Sequence, residues 1–233
     1  MSENSVKSIL WRRLLKRVDI KAFDGFTLAE VLITLVIIGV IASMTIPTLM
    51  NNTNKQDYVS RLKKTYSTLA QATNRIIADE GTPKSAVGGW AGSHTDIFNH
   101  YKKYLSNAKE CQVGQSCFSS IDYKYLNGAD HTFDMMDLTT YGRLVLADGS
   151  FVNFLFDNAN CNGGQQTDEL NKVCAYLHVD INGAKGPNVF GRDAFRFYLS
   201  EYGLFPTNCD LNQTNCNGYN CACAVLRDGT MTY

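Results

Sequence analysis

The stretch most suggestive of a binding site is a loop of 14 residues, from Asp180 to Asp193, between two predicted strands. It combines two aspartates and two asparagines with three glycines and a proline. Carboxylate and amide oxygens are the ligands that Ca²⁺ prefers, so we consider Asp180, Asn182, Asn188 and Asp193 as candidate calcium ligands. The loop is not an EF-hand, because no Glu occupies its twelfth position. The alternative is a turn whose Asp and Asn side chains bond its own backbone.

Cysteine is the second residue type that could support chemistry. All eight cysteines lie between Cys111 and Cys223, and an even number behind an apolar N-terminal segment predicts disulfides in an oxidising compartment. Zinc is the alternative, but the sequence has no CxxC pair. Short local loops favour the pairs Cys111–Cys117 and Cys161–Cys174. The pairing of the remaining cysteines stays open: Cys209, Cys216, Cys221 and Cys223.

The sequence gives little support for catalysis or for nucleic-acid binding. The four histidines lie in different contexts, and the chain has no Gly-x-Ser-x-Gly, P-loop or HExxH motif. We therefore expect a protein that is not an enzyme. From residue 81 onward, 11 basic residues stand against 15 acidic ones, which is opposite to the charge of a nucleic-acid footprint.

A single carboxylate interrupts a long apolar run near the N-terminus. Between Phe26 and Met50, Glu30 is the only charged residue. As a helix this run covers a hydrocarbon layer of roughly 30 Å, which predicts a membrane span. An isolated carboxylate inside such a span costs several kcal/mol unless it has a partner. The segment is therefore expected to do more than anchor the chain.

The residues before the apolar run predict its orientation. Residues 1–25 contain six basic and three acidic residues, and positive charge before a first span holds the N-terminus in the cytoplasm. Everything after Met50 is then translocated. The apolar run is too long for a secretory signal peptide and is not followed by Ala-x-Ala, so any cleavage should fall before it.

The apolar run leads into an amphipathic helix. Pro47 should kink or loosen the helix, and the polar residues 51–54 predict the exit from the membrane. A stripe of apolar and small residues then recurs every three or four positions until the helix stops near Gly81, before Pro83. The stripe consists of Tyr58, Leu62, Tyr66, Leu69, Thr73, Ile76 and Ile77.

The remaining residues predict a short helix followed by strands. The helix is expected at residues 95–108, and strands at 142–146, 150–156, 173–179 and around Phe195 to Leu199. Residues 147–149 should form a tight turn between the first two strands, and residues 222–233 a terminal hairpin around Asp228-Gly229. The pattern predicts an α+β domain in which one face of an antiparallel sheet packs on the helix. Two Asn/Gly-rich loops carry cysteines, at 157–171 and 207–220.

The segment from Gly25 to Leu32 reads GFTLAEVL and resembles the processing site of type IV pilins and of type II secretion pseudopilins. The resemblance extends over about residues 21–80 and includes Pro47, where such helices often carry a proline. It implies cleavage after Gly25 by a prepilin peptidase and N-methylation of Phe26. It also implies that Glu30 pairs with the new amine of a neighbouring subunit and sets the register between helices. The alternative is that Glu30 stays near the membrane interface and contacts lipid headgroups or the amine of its own chain.

The resemblance also implies an organisation and a set of partners. We expect a cytoplasmic leader at 1–25, a membrane and assembly helix at 26–50, a stalk helix at 51–80 and a disulfide-containing β-rich domain at 81–233, in a pilin-like α+β fold. The partners would be other pilin-like subunits, the peptidase and methyltransferase, an assembly platform and its ATPase, and the bacterial inner membrane. The protein would be a filament subunit or, alternatively, a tip subunit whose cysteine-rich loops bind a substrate or surface.

Overall fold

The computed structural model describes residues 25–105, 107–111, 121–131, 141–163, 172–207, 209 and 216–233. Three α-helices are present in these residues: α1 (Leu28–Glu80), α2 (His94–Tyr104) and α3 (Ala222–Asp228). The strands are β1 (Lys109–Cys111), β2 (Arg143–Val145), β3 (Phe151–Phe156), β4 (Val173–Asp180), β5 (Ala194–Ser200) and β6 (Gly203–Pro206). A 3₁₀ turn at Ser85–Val87 precedes α2.

Helix α1 belongs to two compact units, because the chain divides between Leu49 and Met50. Each unit is therefore described by itself. Helix α1 contains Pro47 and ends at Glu80, where the Gly81 N–H donates to Ile77 O over 3.0 Å. Gly81 has a φ of +86°, a left-handed conformation that a glycine adopts without strain. The end of the helix agrees with the stop signal in the sequence.

The second half of α1 buries one face against the sheet. Leu62, Leu69 and Ile76 are fully buried in one apolar cluster with side chains from β2 to β6. The ring of Tyr66 lies 5.3 Å from that of Phe197 on β5, measured between centroids. Thr73 is also buried, and its hydroxyl bonds that of Tyr101 on α2. The predicted α+β arrangement is confirmed.

The six strands form one antiparallel sheet in chain order, from β1 to β6. Phe154 pairs with Leu177, and Leu177 pairs with Phe197, so these apolar side chains form a row across the centre of the sheet. The predicted turn between β2 and β3 is present: Leu146 N–H donates to Ser150 O, and Asp148 caps the Ser150 N–H. The short strands β1 and β6 were not predicted from the sequence.

The opposite face of the sheet is covered as well. A second apolar cluster forms there around Tyr123, Phe151, Phe190 and Ala194, with Tyr219 packed against it. Strand β4 is consequently buried on both faces over most of its length. Polar side chains in this layer, such as those of Asn153 and Asp180, are therefore out of contact with water.

The C-terminal hairpin predicted for residues 222–233 is wrong. Ala222–Asp228 is helix α3, and residues 230–233 form no strand. Gly229 has a φ of +66° and its N–H donates to Val225 O, so the Asp228-Gly229 pair ends a helix instead of turning a hairpin. A hairpin turn and a helix C-cap both require a left-handed residue, and glycine serves either. Ala222 and Leu226 favour the helix.

Disulfides link the described cysteines within the globular unit. Cys161 pairs with Cys174, as the short loop between them suggests. Two further pairs staple the start of α3: Cys209–Cys223 and Cys216–Cys221. Cys111 is buried, and Cys117, its predicted partner, lies outside the described residues.

Candidate functional site

The first candidate site is the start of α1, where Thr27 and Glu30 form a capping box. The Thr27 N–H and hydroxyl both donate to Glu30 Oε2 over 2.8 Å, and the Glu30 N–H donates back to Thr27 Oγ1 over 3.2 Å. This reciprocal pattern satisfies N–H groups that have no partner at the beginning of a helix. Sequence analysis missed Thr27, although the spacing Thr-x-x-Glu before an apolar run is the usual signal of this cap.

The helix that follows presents apolar side chains to its surroundings. By length and composition the segment Leu28–Pro47 could cross a membrane, and none of it is buried by the residues that the structure describes. Large exposed side chains occur on all sides of the helix, among them Leu32, Leu35, Ile38 and Ile41. An apolar, unburied helix of this length near the N-terminus fits a single-pass membrane anchor.

The predicted processing site is open. Gly25 is exposed, and a side chain added there would meet no atom of the described residues within 4 Å. Phe26 is 87 % exposed. Both residues precede the first helical residue, Leu28, so the peptide bond between them lies in non-helical backbone. The predicted leader before Gly25 lies outside the described residues.

The second candidate site is the loop between β4 and β5, whose ends meet at the sheet. Asp180 pairs with Ala194 across the two strands, and the Ile181 N–H donates to Asp193 O over 2.9 Å. The predicted ligands Asp180 and Asp193 are thus brought together, and both are buried. Gly183 lies against the β2–β3 turn, where a side chain would come within 2.5 Å of Gly149 O.

The two carboxylates accept hydrogen bonds from the loop itself. Asp193 accepts from the N–H groups of Asn188 and Val189 over 2.8 and 2.7 Å. Asp180 accepts from the Asn182 N–H over 3.1 Å and from the Tyr123 hydroxyl over 2.6 Å. Tyr123 was not predicted, because it comes from a segment 57 residues away in the chain. These bonds match the alternative in which Asp and Asn hold a turn.

Burial controls the ionisation of this pair. It raises the pKa of Asp180 to about 8, and the neighbouring Asp193 carboxylate reinforces the rise. Burial likewise raises the pKa of Asp193, against the effect of the N–H groups that it accepts. Two buried carboxylates side by side disfavour double ionisation unless a positive charge is added.

The chemistry of the loop partly fits the predicted calcium ion. Besides the two carboxylates, the side-chain oxygens of Asn182 and Asn188 are buried and have no hydrogen-bond partner among the described residues. All four are hard oxygen ligands. Within the described ranges, however, no group of three or more His, Cys, Asp or Glu side chains is placed to hold a metal. Calcium therefore stays a prediction.

Comparison with known families identifies the N-terminal segment. Residues 20–46 match the prokaryotic N-terminal methylation motif. This match, together with the exposed apolar helix, shows a type IV pilin-like prepilin segment at the N-terminal end of the sequence.

The family of the chain is identified by a match over most of the globular unit. Residues 48–221 match the model described as "Family of unknown function (DUF6613)", and the chain belongs to this family. No curated protein and no solved structure matches the chain.

Proposed function

We propose that this protein is a pilin-like filament subunit of the type II secretion or type IV pilus kind. It is cleaved after Gly25, methylated at Phe26 and inserted in the inner membrane with its N-terminus in the cytoplasm. The observation that carries this proposal is an exposed apolar helix with one carboxylate in its first turn, inside a methylation motif. Such a helix suits transfer from lipid into a bundle of identical helices.

Glu30 has two roles in this proposal, at successive stages. Before assembly, its carboxylate is satisfied by Thr27 of the same chain. In the filament, the amine of a neighbouring Phe26 approaches it inside the apolar packing. A carboxylate has about four acceptor positions, so it accepts an ammonium group while it keeps the Thr27 bonds. Pairing of the two charges removes the cost of leaving either one alone in apolar surroundings.

Two substitutions separate these roles. Glu30→Gln keeps the capping box, since Gln serves at this position, but removes the charge. Thr27→Ala breaks the box and keeps the charge. We expect Glu30→Gln to abolish incorporation into filaments, whereas Thr27→Ala assembles with a helix start weakened by about 1 kcal/mol. Incorporation is measured by immunoblot of sheared filaments from cells that contain the assembly machinery.

The opposite pattern would overturn the register role. If Glu30→Gln assembles normally and Thr27→Ala does not, Glu30 acts as a helix cap alone. Processing is tested on the same samples: mass spectrometry of the mature chain should find an N-methylated Phe26 at its start. A chain that starts elsewhere contradicts the proposed cleavage after Gly25.

A further inference from the structure

A cavity of about 660 Å³ lies in the globular unit, and none of the four predicted calcium ligands lines it. Three segments line it: the start of the stalk part of α1, the distal part of the β4–β5 loop, and the last residues of the chain. The lining residues are Asn54, Lys55, Tyr58, Gly186, Pro187, Arg192, Met231 and Tyr233. Two of these residues are cationic and none is an Asp or Glu. The carboxylates of Asp193, Asp57 and Asp180 act on the Tyr58 phenol from outside the lining, so an anionic ligand would depend on the cations of the wall.

One of the two cations is already engaged by the protein. Lys55 Nζ donates to the backbone oxygens of Met231 and Tyr233 over 3.1 and 2.6 Å, which ties the end of the chain to α1. This bond builds the wall of the cavity. Lys55 therefore serves mainly to hold the structure, and the charge that binds a ligand must come from another residue of the wall.

Arg192 is the cation that remains. Arg192 is exposed, and its backbone N–H donates to Val189 O, while its guanidinium group forms no hydrogen bond with the residues that the structure describes. Burial raises the pKa of the Tyr58 and Tyr233 phenols, and the charge of Arg192 opposes the rise at both. Arg192, Tyr58 and Tyr233 all line the cavity.

The hydroxyl of Tyr58 has no hydrogen bond to any described residue, so it is a second free donor. A guanidinium group presents paired N–H donors that match the geometry of a phosphate group. The cavity is much larger than one phosphate, and its wall also contains Met231 and Pro187. These features suit a phosphodiester that carries a further polar and apolar part.

The position in the chain favours a membrane lipid as the source. Asn54 follows Pro47, the last residue of the candidate span, by seven residues. Even a fully extended chain of that length reaches no more than about 25 Å. The cavity is thus tethered near the lipid headgroups if Leu28–Pro47 crosses the membrane.

We propose that this cavity binds the phosphodiester headgroup of an anionic phospholipid, with Arg192 and Tyr58 as the donors to the phosphate. The proposal uses the membrane anchor but not filament assembly. Bound lipid would join α1, the β4–β5 loop and the end of the chain at one point.

The test uses the full chain purified in a neutral detergent and native mass spectrometry with added phosphatidylglycerol or phosphatidylcholine. We expect selective retention of phosphatidylglycerol. Arg192→Gln should weaken this retention roughly tenfold, as expected for loss of a charge-assisted hydrogen bond. Lys185→Gln is the matched control, because Lys185 is an exposed cation of the same loop that does not line the cavity. Its retention should be unchanged.

Several results would overturn the proposal. Equal retention of the two lipids, or equal losses in Arg192→Gln and Lys185→Gln, would exclude selective binding at this cavity. Glycerophosphoglycerol that binds the chain as tightly as the whole lipid would assign the site to soluble phosphate esters instead. Displacement of the lipid by inorganic phosphate, and not by chloride at matched ionic strength, supports recognition of the phosphate group.

The result is independent of the filament proposal. Glu30→Gln is expected to retain phosphatidylglycerol normally, because Glu30 lies in the other unit of the chain. If the chain assembles into filaments but shows no preference for phosphatidylglycerol, only the proposed lipid binding at the cavity is refuted. Intact lipid selectivity in a chain that never assembles would refute the filament role alone.

Discussion

The two halves of helix α1 treat apolar surface and charge in opposite ways. Between Leu28 and Pro47 the apolar side chains are unburied, and the one carboxylate is bonded within its own turn of helix. From Val59 to Ile76 the same helix buries its apolar face under a sheet. The domain around it even buries carboxylates, each with several donors. The domain thus pairs these carboxylates internally, whereas the apolar side chains of the first half of α1 are not covered by the residues that the structure describes.

The sharpest test of this contrast is the same substitution in both halves of α1. Leu62 is fully buried, and Leu35 is 60 % exposed. Leu62→Ala should lower the free energy of unfolding of the domain by about 2–5 kcal/mol, because it leaves a cavity in the core. Leu35→Ala should leave that energy unchanged. Denaturant unfolding in detergent, followed by the fluorescence of buried Trp90, measures both. Similar losses in the two variants would contradict the division.

The acidic loop tests whether buried charge in the domain is satisfied by the protein itself. Asp193→Ala removes the acceptor for the Asn188 and Val189 N–H groups. Each N–H left unpaired costs about 1–3 kcal/mol, and because both bonds are only partly buried a loss in the lower part of the summed range, roughly 2–4 kcal/mol, is expected. Asp130→Ala is the control, since its ion pair with Lys124 is exposed and contributes little. The measurement is the same unfolding experiment.

Calcium adds a second arm to this experiment. An ion bound in the loop would increase the free energy of unfolding of the unmutated chain by about 2.7 kcal/mol when the Ca²⁺ concentration is 100 times the dissociation constant. The melting temperature would rise accordingly. Asp193→Ala should remove that increase, and Asp130→Ala should keep it. A melting temperature that does not respond to Ca²⁺ would leave the loop as a turn held by its own hydrogen bonds.

The parts of the fold that local patterns determine were predictable. The apolar stripe from Leu62 to Ile76 indicated the buried face of α1, and the Asp148-Gly149 pair indicated the β2–β3 turn. The Asp228-Gly229 pair led to the incorrect prediction of a C-terminal hairpin, because the same dipeptide can end a helix or form a hairpin turn. Which outcome occurs depends on context that the dipeptide does not contain, including the disulfides at the start of α3.

The residues of the candidate sites also divide into those that a local sequence pattern indicates and those that only the fold brings together. Gly25, Phe26 and Glu30 could be found because they form one contiguous motif. The donors around Asp180 and the cavity at Arg192 could not, because Tyr123 and Tyr58 come from distant parts of the chain. The second covered face of the sheet had no local signal either. A strand such as β4, buried on both sides, lacks the alternation that reveals which face is inward.

The smallest expected effect is a pH dependence that comes from His94. Its Nδ1 accepts the Phe156 N–H over 2.8 Å, which joins the start of α2 to the end of β3 and requires the neutral imidazole. Partial burial lowers the pKa of His94. Above pH 6.5 the ring is neutral in both the folded and unfolded chains, so its contribution to stability is fully present. Below that pH the unfolded chain binds a proton first, and the contribution is lost as the pH falls through the folded pKa.

His94→Asn isolates this contribution, because its amide oxygen accepts the same N–H without titrating. We expect the variant to match the unmutated chain near pH 8 and to lose less stability on acidification, as measured by melting temperature across the pH range. Burial lowers the pKa of His178 to about 3, so part of the slope should remain in the variant. The difference between the two chains then reports His94 alone, since the buried carboxylates titrate equally in both. Parallel pH curves would show that the Phe156 N–H does not depend on this ring. The loss of acid stability would then come from the sheet, where His178 lies, and not from the contact that docks α2.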